Sequence, residues 1–319
     1  MNNEFDLIAR YFTRQAPPGY LGVGDDCAMF QVEPGHHLAT STDLLIEGRH
    51  FFPDVDPWSL GHKALAVNIS DLAAMGARPL ACLLSVSLPR VDEGWLAAFS
   101  DGFYSLAERA QCPLVGGDTT RSIAGIVINV TVMGQVRPEQ ALLRSGARAG
   151  DDIWVTGTLG AADVALRLLQ GRLPPDDTLL AATRPALERP EPPWQFAQML
   201  AGVAHAALDI SDGLLQDLGH ILQASACGAD LDYNALPLHP ALQGRGDAFV
   251  PSAVLAGGDV YQLCFTASQD RRSRIQALAH SAACPVTRIG RIVAEPGLRV
   301  QGADGAPMVL DSAGFDHFS

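Results

Sequence analysis

Six aspartates in this sequence have the neighbours expected of metal-binding carboxylates. Most of them follow glycine or hydroxyl residues where a strand is expected to end or a helix to begin: Asp26, Asp43, Asp71, Asp118, Asp209 and Asp212. Carboxylates that lie close together repel unless a cation lies between them, and a hard cation such as Mg²⁺ prefers oxygen ligands. Each aspartate alone is an ordinary turn or helix-capping residue. Together they predict a site that holds several metal ions.

Glycines precede two of these aspartates. The segment at 22–26 is Gly-Val-Gly-Asp-Asp, and the segment at 116–119 is Gly-Gly-Asp-Thr. Because glycine has no Cβ, the backbone at these positions can turn sharply and approach a ligand closely. A simple Gly-Asp turn is the alternative at each segment. The recurrence of the pattern along the chain favours a ligand.

The Asp-Ile-Ser-Asp-Gly segment at 209–213 follows a predicted strand and starts a predicted helix. Ser211 or Asp212 is expected to cap that helix. The same helix start also suits an anionic phosphate group, because its backbone N–H groups have no partner within the helix. Capping and phosphate binding both remain as interpretations of this segment.

Asp71 lies in a predicted helix, 59–75, which Asp56 or Ser59 is expected to cap. Apolar residues at helical spacing form the buried side of this helix, and Asp71 falls among them. A carboxylate on an apolar face is costly unless it is paired or bound to a metal. Surface helices also carry aspartates at such a border, so metal binding and simple exposure both fit.

The order of the predicted elements indicates an α/β (or α+β) protein of two domains. The expected strands are 28–32, 37–42, 80–88, 113–115, 126–133, 153–156, 206–208 and 262–266. The expected helices are 4–12, 59–75, 92–110, one that ends near 169 and one that ends near 226. A proline-rich segment, 174–193, predicts an ordered loop. The pattern restarts near Gly150, which divides the chain into domains 1–149 and 150–319.

Composition and charge exclude several classes of protein. The net charge of −13, with no basic stripe, argues against nucleic acid as a partner. The 6 cysteines are scattered and include no Cys-x-x-Cys pair, which suits reduced thiols better than disulfides or zinc. No apolar run approaches the roughly 18 residues of a membrane span, and the first residues lack the pattern of a secretion signal. We therefore expect a cytoplasmic protein with no membrane partner.

Almost all Lys and Arg positions in this chain are arginine. Lys63 is its only lysine, and the P-loop motif of many nucleotide-binding proteins is absent. If the protein handles phosphates, metal ions held by carboxylates must supply much of the positive charge. Arg144 lies in an expected loop, where its guanidinium could bind a phosphate.

Taken together, these segments resemble those of thiamine-monophosphate kinases, within the superfamily of aminoimidazole ribonucleotide synthetase and selenophosphate synthetase. The resemblance covers almost the whole chain and rests on these segments: 24–26 (Gly-Asp-Asp), 41–43 (Ser-Thr-Asp), 50–51 (His-Phe), 68–76 (Asn-Ile-Ser-Asp-Leu-Ala-Ala-Met-Gly), 116–119, 144–146 (Arg-Ser-Gly), 209–213 and 315–318 (Phe-Asp-His-Phe). The segments 68–76 and 209–213 are specific in combination. A selenophosphate synthetase would carry a reactive cysteine before the first glycine-rich segment, whereas Cys27 follows it.

The resemblance implies a fold and a reaction. The fold is an N-terminal mixed-sheet domain that dimerises through its sheet, with a C-terminal α/β domain that packs beside it and completes the active site. The reaction is ATP-dependent phosphorylation of thiamine monophosphate to thiamine diphosphate, by direct in-line transfer assisted by several Mg²⁺ ions. The attacking phosphate oxygen is already ionised at neutral pH, so no general base is required. The implied partners are the two small-molecule substrates and a second copy of the chain.

The resemblance also implies roles for individual residues. The metal ions are held by Asp26, Ser41, Thr42, Asp43, Asp71, Asp118, Asp209 and Asp212. ATP is contacted by Gly117, Asp118, Arg144 and Ser211. Thiamine monophosphate is contacted by His50, Asp259 and Phe315, the last by ring stacking. Catalysis of the transfer is assigned to Asp71, Asp118, Arg144 and Asp212.

The chain departs from the family pattern at 257–263. The family carries Gly-Gly-Glu-Asp-Tyr-Glu-Leu, whereas this chain has Gly-Gly-Asp-Val-Tyr-Gln-Leu. The glutamate expected to contact substrate is the shorter Asp259, and Val260 and Gln262 replace two further acids. The alternative is therefore a non-catalytic member, or one with a different acceptor, that binds ATP or thiamine phosphate.

Overall fold

The computed structural model of the protein describes residues 4–24, 26–302, 306–308 and 314. In this part of the chain the helices are α1 (Glu4–Leu7, continued by a π-helical turn, Ile8–Phe12), α2 (Pro57–Ala74), α3 (Glu93–Ala110), α4 (Ala161–Leu169), α5 (Asp177–Glu188), α6 (Trp194–Met199), α7 (Leu214–Ser225), α8 (Phe249–Ala256) and α9 (Arg272–Ser281). The strands are β1 (His37–Ile46), β2 (Arg78–Leu88), β3 (Leu114–Arg121), β4 (Val127–Val136), β5 (Asp152–Thr156), β6 (Ala206–Asp209), β7 (Gly228–Asp232), β8 (Leu263–Ala267), β9 (Val286–Val293) and β10 (Gly297–Gln301).

The chain forms two compact units. The N-terminal unit contains Met1–Leu72 and Ala77–Glu139, and the C-terminal unit contains Ala73–Gly76 and Gln140–Ser319. Both units combine helices with a sheet, so the predicted mixed α/β class is confirmed. The domain boundary expected between residues 149 and 150 stays a prediction.

The N-terminal unit contains a four-stranded mixed sheet in the order β1-β4-β2-β3. β4 pairs antiparallel with both β1 and β2, and β2 runs parallel to β3. Burial alternates along β4: Ile128, Val130 and Val132 are buried, whereas Asn129 and Thr131 are half-buried. Because side chains alternate between the faces of a strand, the buried set packs towards the helices, and we call the opposite surface the outer face.

Helices α2 and α3 approach each other very closely. A Cβ added at Gly61 would lie 2.0 Å from the carbonyl oxygen of Phe99, and one at Gly102 would lie 1.9 Å from that of Trp58. Only glycine leaves room for this contact between backbones. The contact fixes the position of α2, which carries Asp71.

The edge strand β1 presents different side chains on its two faces. Leu38, Leu44 and Ile46 share the outer face and are 52%, 48% and 39% exposed. Ser41 and Asp43 alternate with them and are half-buried on the helix side. The outer face of β1 is therefore apolar and accessible.

The C-terminal unit contains a six-stranded sheet in the order β10-β7-β9-β5-β8-β6. All of its neighbouring strands are antiparallel except β10 and β7. On one face, Ile153 and Val155 of β5 join an apolar core with residues of α4, α7 and α8. On the other face, the ring of Trp154 stacks on that of Phe265, with 6.3 Å between the ring centroids. Both faces are covered, and β5 and β8 are buried along their whole length.

Helix α2 confirms the sequence prediction in detail. The expected range was 59–75, and the helix runs from Pro57 to Ala74. Asp56 caps it as predicted, since its Oδ2 accepts a hydrogen bond from the Ser59 backbone N–H at 3.0 Å. No helix within the described ranges is long and apolar enough to cross a membrane.

Two predicted elements are wrong. Residues 28–32 do not form a strand, and Met29 makes only an isolated bridge with Leu21. The proline-rich segment 174–193 is not simply a loop, because it contains α5. Asp176 starts α5 by accepting a hydrogen bond from the Leu179 N–H at 2.8 Å. Burial of Leu179, Thr183 and Leu187 adds packing that offsets the hydrogen bond that Pro185 removes inside the helix.

Candidate active site

The N-terminal unit brings three of the predicted metal ligands together on the helix side of β1. Ser41 Oγ donates a hydrogen bond to Asp71 Oδ2 at 2.6 Å, which joins β1 to α2. The backbone N–H of Asp43 donates to Asn68 Oδ1 at 3.0 Å, one turn earlier on the same helix. Burial, and then the negative charge of Asp71, raise the pKa of Asp43 to about 6. Two carboxylates that crowd each other in this way would be stabilised by a cation.

Thr42 lies on the opposite face of β1. Its Oγ1 donates to the carbonyl of Val130 at 3.0 Å and accepts from Asn129 Nδ2 at 2.9 Å. Its hydroxyl is therefore directed away from the side that carries Asp43. The role of Thr42 as a metal ligand stays a prediction.

A cleft of about 920 Å³ lies in the N-terminal unit against the outer face. Its polar wall contains Asp26, Gly117 and Asp118. Its apolar wall includes side chains from the first turns of the chain and from the sheet, namely Ile8, Phe12, Val23, Phe30, Leu83, Leu84, Leu114, Val115 and Met133. A concave site with apolar walls and a few polar groups is typical of small-molecule binding.

Gly117 is required by the close approach of β3 to β2. Its φ is +154°, and an added Cβ would lie 1.8 Å from the carbonyl oxygen of Leu84. The position therefore accepts only glycine, and its backbone stays accessible to a ligand. Asp118 follows directly and pairs with Ser85 in the β3–β2 register.

Within the described ranges, no group of three or more His, Cys, Asp or Glu side chains lies close enough together to hold a metal ion. The N-terminal unit therefore shows two parts of the predicted metal site. One is the group of contacts around Ser41, Asp43 and Asp71, and the other is the cleft around Asp26 and Asp118. The complete multi-metal site stays a prediction.

In the C-terminal unit, Asp217 organises the segment that carries Asp212. Its Oδ2 accepts hydrogen bonds from the backbone N–H groups of Ser211, Asp212 and Gly213, each at 3.0 Å. Helix α7 has Gly213 at its N-cap position, without a side-chain cap. The prediction that Ser211 or Asp212 caps this helix is wrong, because a carboxylate one turn further along binds these N–H groups instead. Burial raises the pKa of Asp217 to about 6, against the lowering effect of the three hydrogen bonds.

The segment 257–262 is bonded to the same region. The N–H of Asp259 donates to the carbonyl of Ser211 at 2.8 Å, and the N–H of Tyr261 donates to that of Ile210 at 2.7 Å. Asp259 and Tyr261 have φ angles of +58° and +52°, the left-handed region that side chains other than glycine rarely adopt. Asp209, 8% exposed, ends β6 just before these residues. The structure thus brings Asp209, Ser211 and Asp259 together.

Three further predicted residues are Arg144, His50 and Phe315. Arg144 is exposed, and its carbonyl accepts a hydrogen bond from Ser225 Oγ at 3.2 Å. His50 is half-buried in a turn after β1, and its Nδ1 accepts from the Ile46 N–H at 3.0 Å. Phe315 lies outside the residues that the structure describes.

Sequence reasoning missed two acidic residues of the C-terminal unit. Asp217 binds the segment 211–213, and Asp163, beside Gly257, forms an ion pair with Arg167 at 2.6 Å. Burial raises the pKa of Asp163 to about 6. The signal for Asp217 was present, because it falls among the apolar residues of its helix, as Asp71 does.

Comparison with known proteins identifies the family. Residues 24–136 match the N-terminal domain of AIR synthase related proteins, and residues 148–303 match the C-terminal domain of the same group. The thiamine-monophosphate kinase of Salmonella typhimurium is 43% identical over 322 residues, which cover 99% of this chain and 98% of the relative. The chain belongs to the thiamine-monophosphate kinase family.

Solved structures agree with membership of the thiamine-monophosphate kinase family. The thiamine-monophosphate kinase of Stenotrophomonas maltophilia K279a is similar with a TM-score of 0.83 and 46% identity, covering 94% of both chains. AaThiL, complexed with AMPPCP and TMP, is similar with a TM-score of 0.77 and 30% identity, covering 90% of this chain and 89% of that one. The resemblance inferred from the sequence segments is confirmed, and the roles of individual residues stay predictions.

Proposed function

We propose that this protein transfers the γ-phosphoryl group of ATP to thiamine monophosphate and so forms thiamine diphosphate. The observation that carries the proposal is the 43% identity to the thiamine-monophosphate kinase of Salmonella typhimurium, which extends over 99% of the chain. The complex of AaThiL with AMPPCP and TMP supports ATP as the donor and thiamine monophosphate as the acceptor. The protein would then be a phosphotransferase whose acceptor is itself a phosphate group.

Mg²⁺ fits the carboxylates of the chain. The raised pKa of Asp43, about 6, reflects burial next to the negative charge of Asp71, and a divalent cation would relieve this repulsion. The residues that would hold Mg²⁺ are Asp26, Ser41, Thr42, Asp43, Asp71, Asp118, Asp209 and Asp212. Bound there, Mg²⁺ would neutralise phosphate oxygens and align the donor with the acceptor.

On the donor side, we assign contacts with ATP to Gly117, Asp118, Arg144 and Ser211. The backbone at Gly117 is accessible because no side chain covers it. The exposed guanidinium of Arg144 can bind two phosphate oxygens in its planar fork. The cleft that Gly117 and Asp118 line, about 920 Å³, has the size of a small-molecule site.

On the acceptor side, we assign contacts with thiamine monophosphate to His50, Asp259 and Phe315. The acceptor oxygen is ionised at neutral pH, so no side chain has to remove a proton. The task of the chain is to hold two polyanions in line against their repulsion. This task falls on the residues proposed for transfer itself, Asp71, Asp118, Arg144 and Asp212.

A homodimer formed through the N-terminal sheet belongs to the same proposal. The exposed outer-face residues Leu38, Leu44 and Ile46 support it, because apolar patches of this kind mark protein interfaces. Analytical ultracentrifugation measures the assembly directly. A cytoplasmic location stays a prediction from the scattered cysteines.

A second candidate is a non-catalytic member of the family, or one with another acceptor. The observation that favours it is at Asp259, where the family has the longer glutamate. The Tyr261 hydroxyl donates to Asp259 Oδ1 at 3.2 Å, so part of this carboxylate is already engaged within the protein.

A product assay decides between the two candidates. Purified protein is incubated with Mg²⁺-ATP and thiamine monophosphate, and thiamine diphosphate is quantified against ADP. One thiamine diphosphate per ADP establishes the kinase. ATP binding without this product supports the second candidate, and a set of other phosphorylated acceptors is then tested.

A further inference from the structure

One neutral side chain connects three segments of the C-terminal unit. Gln262 Oε1 accepts a hydrogen bond from Thr156 Oγ1 at 2.8 Å, and Gln262 Nε2 donates to the carbonyl of Glu191 at 2.9 Å. Its backbone carbonyl accepts from the N–H of Ile210 at 2.7 Å. Gln262 therefore joins the end of β5 and the loop before α6 to the first residue after β6.

The hydrogen bonds of Gln262 use both the oxygen and the nitrogen of its amide. Thr156 is fully buried, and its Oγ1 accepts from the Leu263 N–H at 2.9 Å, so its hydroxyl proton is directed to Gln262 Oε1. The carbonyl of Glu191 can only accept, so its partner must be a donor. A glutamine supplies one acceptor and one donor, whereas a carboxylate would present a second acceptor to that carbonyl.

The backbone that precedes Gln262 is strained. Asp259 and Tyr261 have left-handed backbone conformations, which are unfavourable for residues other than glycine. These conformations persist because the N–H groups of the two residues bond to the carbonyls of Ser211 and Ile210. Gln262 fixes the C-terminal end of this strained stretch to β5. Removal of its side-chain bonds would let the stretch relax and release the segment bonded to it.

We propose that Gln262 is a positioning residue that holds the segment 209–213 in the conformation that binds Mg²⁺. The inference rests on the proposed function, in which Asp209 and Asp212 hold the metal. Ile210, whose N–H is bonded to the backbone carbonyl of Gln262, lies directly after Asp209 and two residues before Asp212. Metal affinity depends on residues that orient the ligands as well as on the ligands themselves.

Gln262→Met tests the proposal, because it removes both side-chain bonds at similar length and without a charge. In the metal-free protein, amide hydrogen exchange at 209–213 is expected to become about 10-fold faster, since this segment opens more easily. The affinity for Mn²⁺, measured by electron paramagnetic resonance, is expected to fall about 10-fold. The Mg²⁺ concentration for half-maximal rate rises by the same factor.

Gln269→Met is the matched control. Gln269 Nε2 also donates to a backbone carbonyl, that of Gly150, at 3.1 Å, but it has no bond to the segment 209–213. In Gln269→Met, amide hydrogen exchange at 209–213 and the affinity for Mn²⁺ should equal those of wild type. Thr156→Val should reproduce the effect of Gln262→Met, and Thr156→Ser, which keeps the hydroxyl, should resemble wild type.

Unchanged exchange and unchanged Mn²⁺ affinity in folded Gln262→Met overturn the proposal. If that variant does not fold, Thr156→Val, which removes the hydroxyl bonded to Gln262 Oε1, carries the same expected increase in exchange. A wild-type protein without kinase activity overturns the proposed function alone, because the exchange measurement in metal-free protein needs no turnover.

Discussion

The candidate metal ligands of the two units are held in different ways. Asp43 and Asp71 lie on a strand and a helix, whose regular hydrogen bonds fix the backbone. Asp212 lies in an irregular segment whose N–H groups are bound by Asp217 and whose neighbours bond to a strained stretch. Regular elements place a side chain by their periodicity, whereas an irregular segment depends on particular side chains that lie far away in sequence. The second arrangement should therefore be sensitive to substitutions that touch no ligand.

The largest expected effect comes from removal of one carboxylate in each unit. Asp71→Asn and Asp212→Asn should each lower kcat by roughly 10³-fold, the size seen when a group that stabilises transition-state charge is lost. Steady-state kinetics with circular dichroism as a check of folding measures this. Asp101→Asn, an exposed aspartate of α3, is the control and should behave as wild type. Near-normal turnover in both variants would remove these carboxylates from the metal site.

Removal of a support should have the next largest effect. Asp217→Leu leaves three buried or half-buried N–H groups without their acceptor, and the free energy of unfolding should fall by about 2–4 kcal/mol. Asp217→Asn keeps an acceptor oxygen in the same place, so its free energy of unfolding should be close to that of wild type. Urea denaturation compares the two variants. Equal stability of Asp217→Leu and wild type would contradict the role of Asp217 in holding the segment.

Asp259→Ala should affect the acceptor alone. We expect the KM for thiamine monophosphate to rise about 10-fold, the effect of losing one hydrogen bond to a charged group, while the KM for ATP stays the same. The reason is that Asp259 contacts the Ser211 segment through its backbone, which alanine retains. Asp177→Ala, at an exposed position of α5, controls for the change of charge. Unchanged kinetic constants for both substrates would exclude Asp259 from the acceptor site.

The smallest expected effect is a dependence on pH in the N-terminal unit. Burial, and then the charge of Asp71, raise the pKa of Asp43 from 3.8 to about 6. Between about pH 4 and about pH 6, Asp43 of the metal-free protein is protonated in the folded state but largely ionised in the unfolded state. The free energy of unfolding therefore increases as the pH falls from about 6 to about 4. Asp43→Asn is neutral at every pH and should be about 1 kcal/mol more stable than wild type at neutral pH.

Denaturation in the presence of a chelator checks this prediction. The advantage of Asp43→Asn should shrink as the pH falls below about 6 and vanish near the unfolded value of 3.8. If the difference in stability between Asp43→Asn and wild type stays constant across this pH range, the pKa of Asp43 is not raised in solution.

The sequence predicted the elements with a clear period and a local cap. Helix α2 was found within two residues because its apolar spacing and the cap at Asp56 are both local signals. The strand expected at 28–32 failed because strand formation requires a neighbouring strand, and Met29 has only one bridge. Helix α5 was missed because prolines outweighed the cap at Asp176 in the interpretation.

The candidate site shows the same limit. The aspartates were recognisable by type and spacing, since glycines and strand ends surround them. The hydrogen bonds from the N–H groups of Ser211 and Asp212 to Asp217 were not predicted, because the sequence pattern favoured a cap by Ser211 or Asp212. The bonds from Gln262 to Thr156 and Glu191 span 106 and 71 residues along the chain, and no local pattern can indicate contacts of that range.

The close contact between α2 and α3 has a consequence for mutational tolerance. In a library that samples every substitution, positions 61 and 102 should retain only glycine, because any Cβ would overlap a carbonyl oxygen. At Gly219 in α7, an added Cβ would have no atom within 4 Å apart from its chain neighbours and the backbone of its own helix. Alanine at 219 should therefore raise the free energy of unfolding by about 0.5–1 kcal/mol. Gly61 and Gly102 therefore cannot be replaced, whereas Gly219 is a position at which substitution should stabilise the protein.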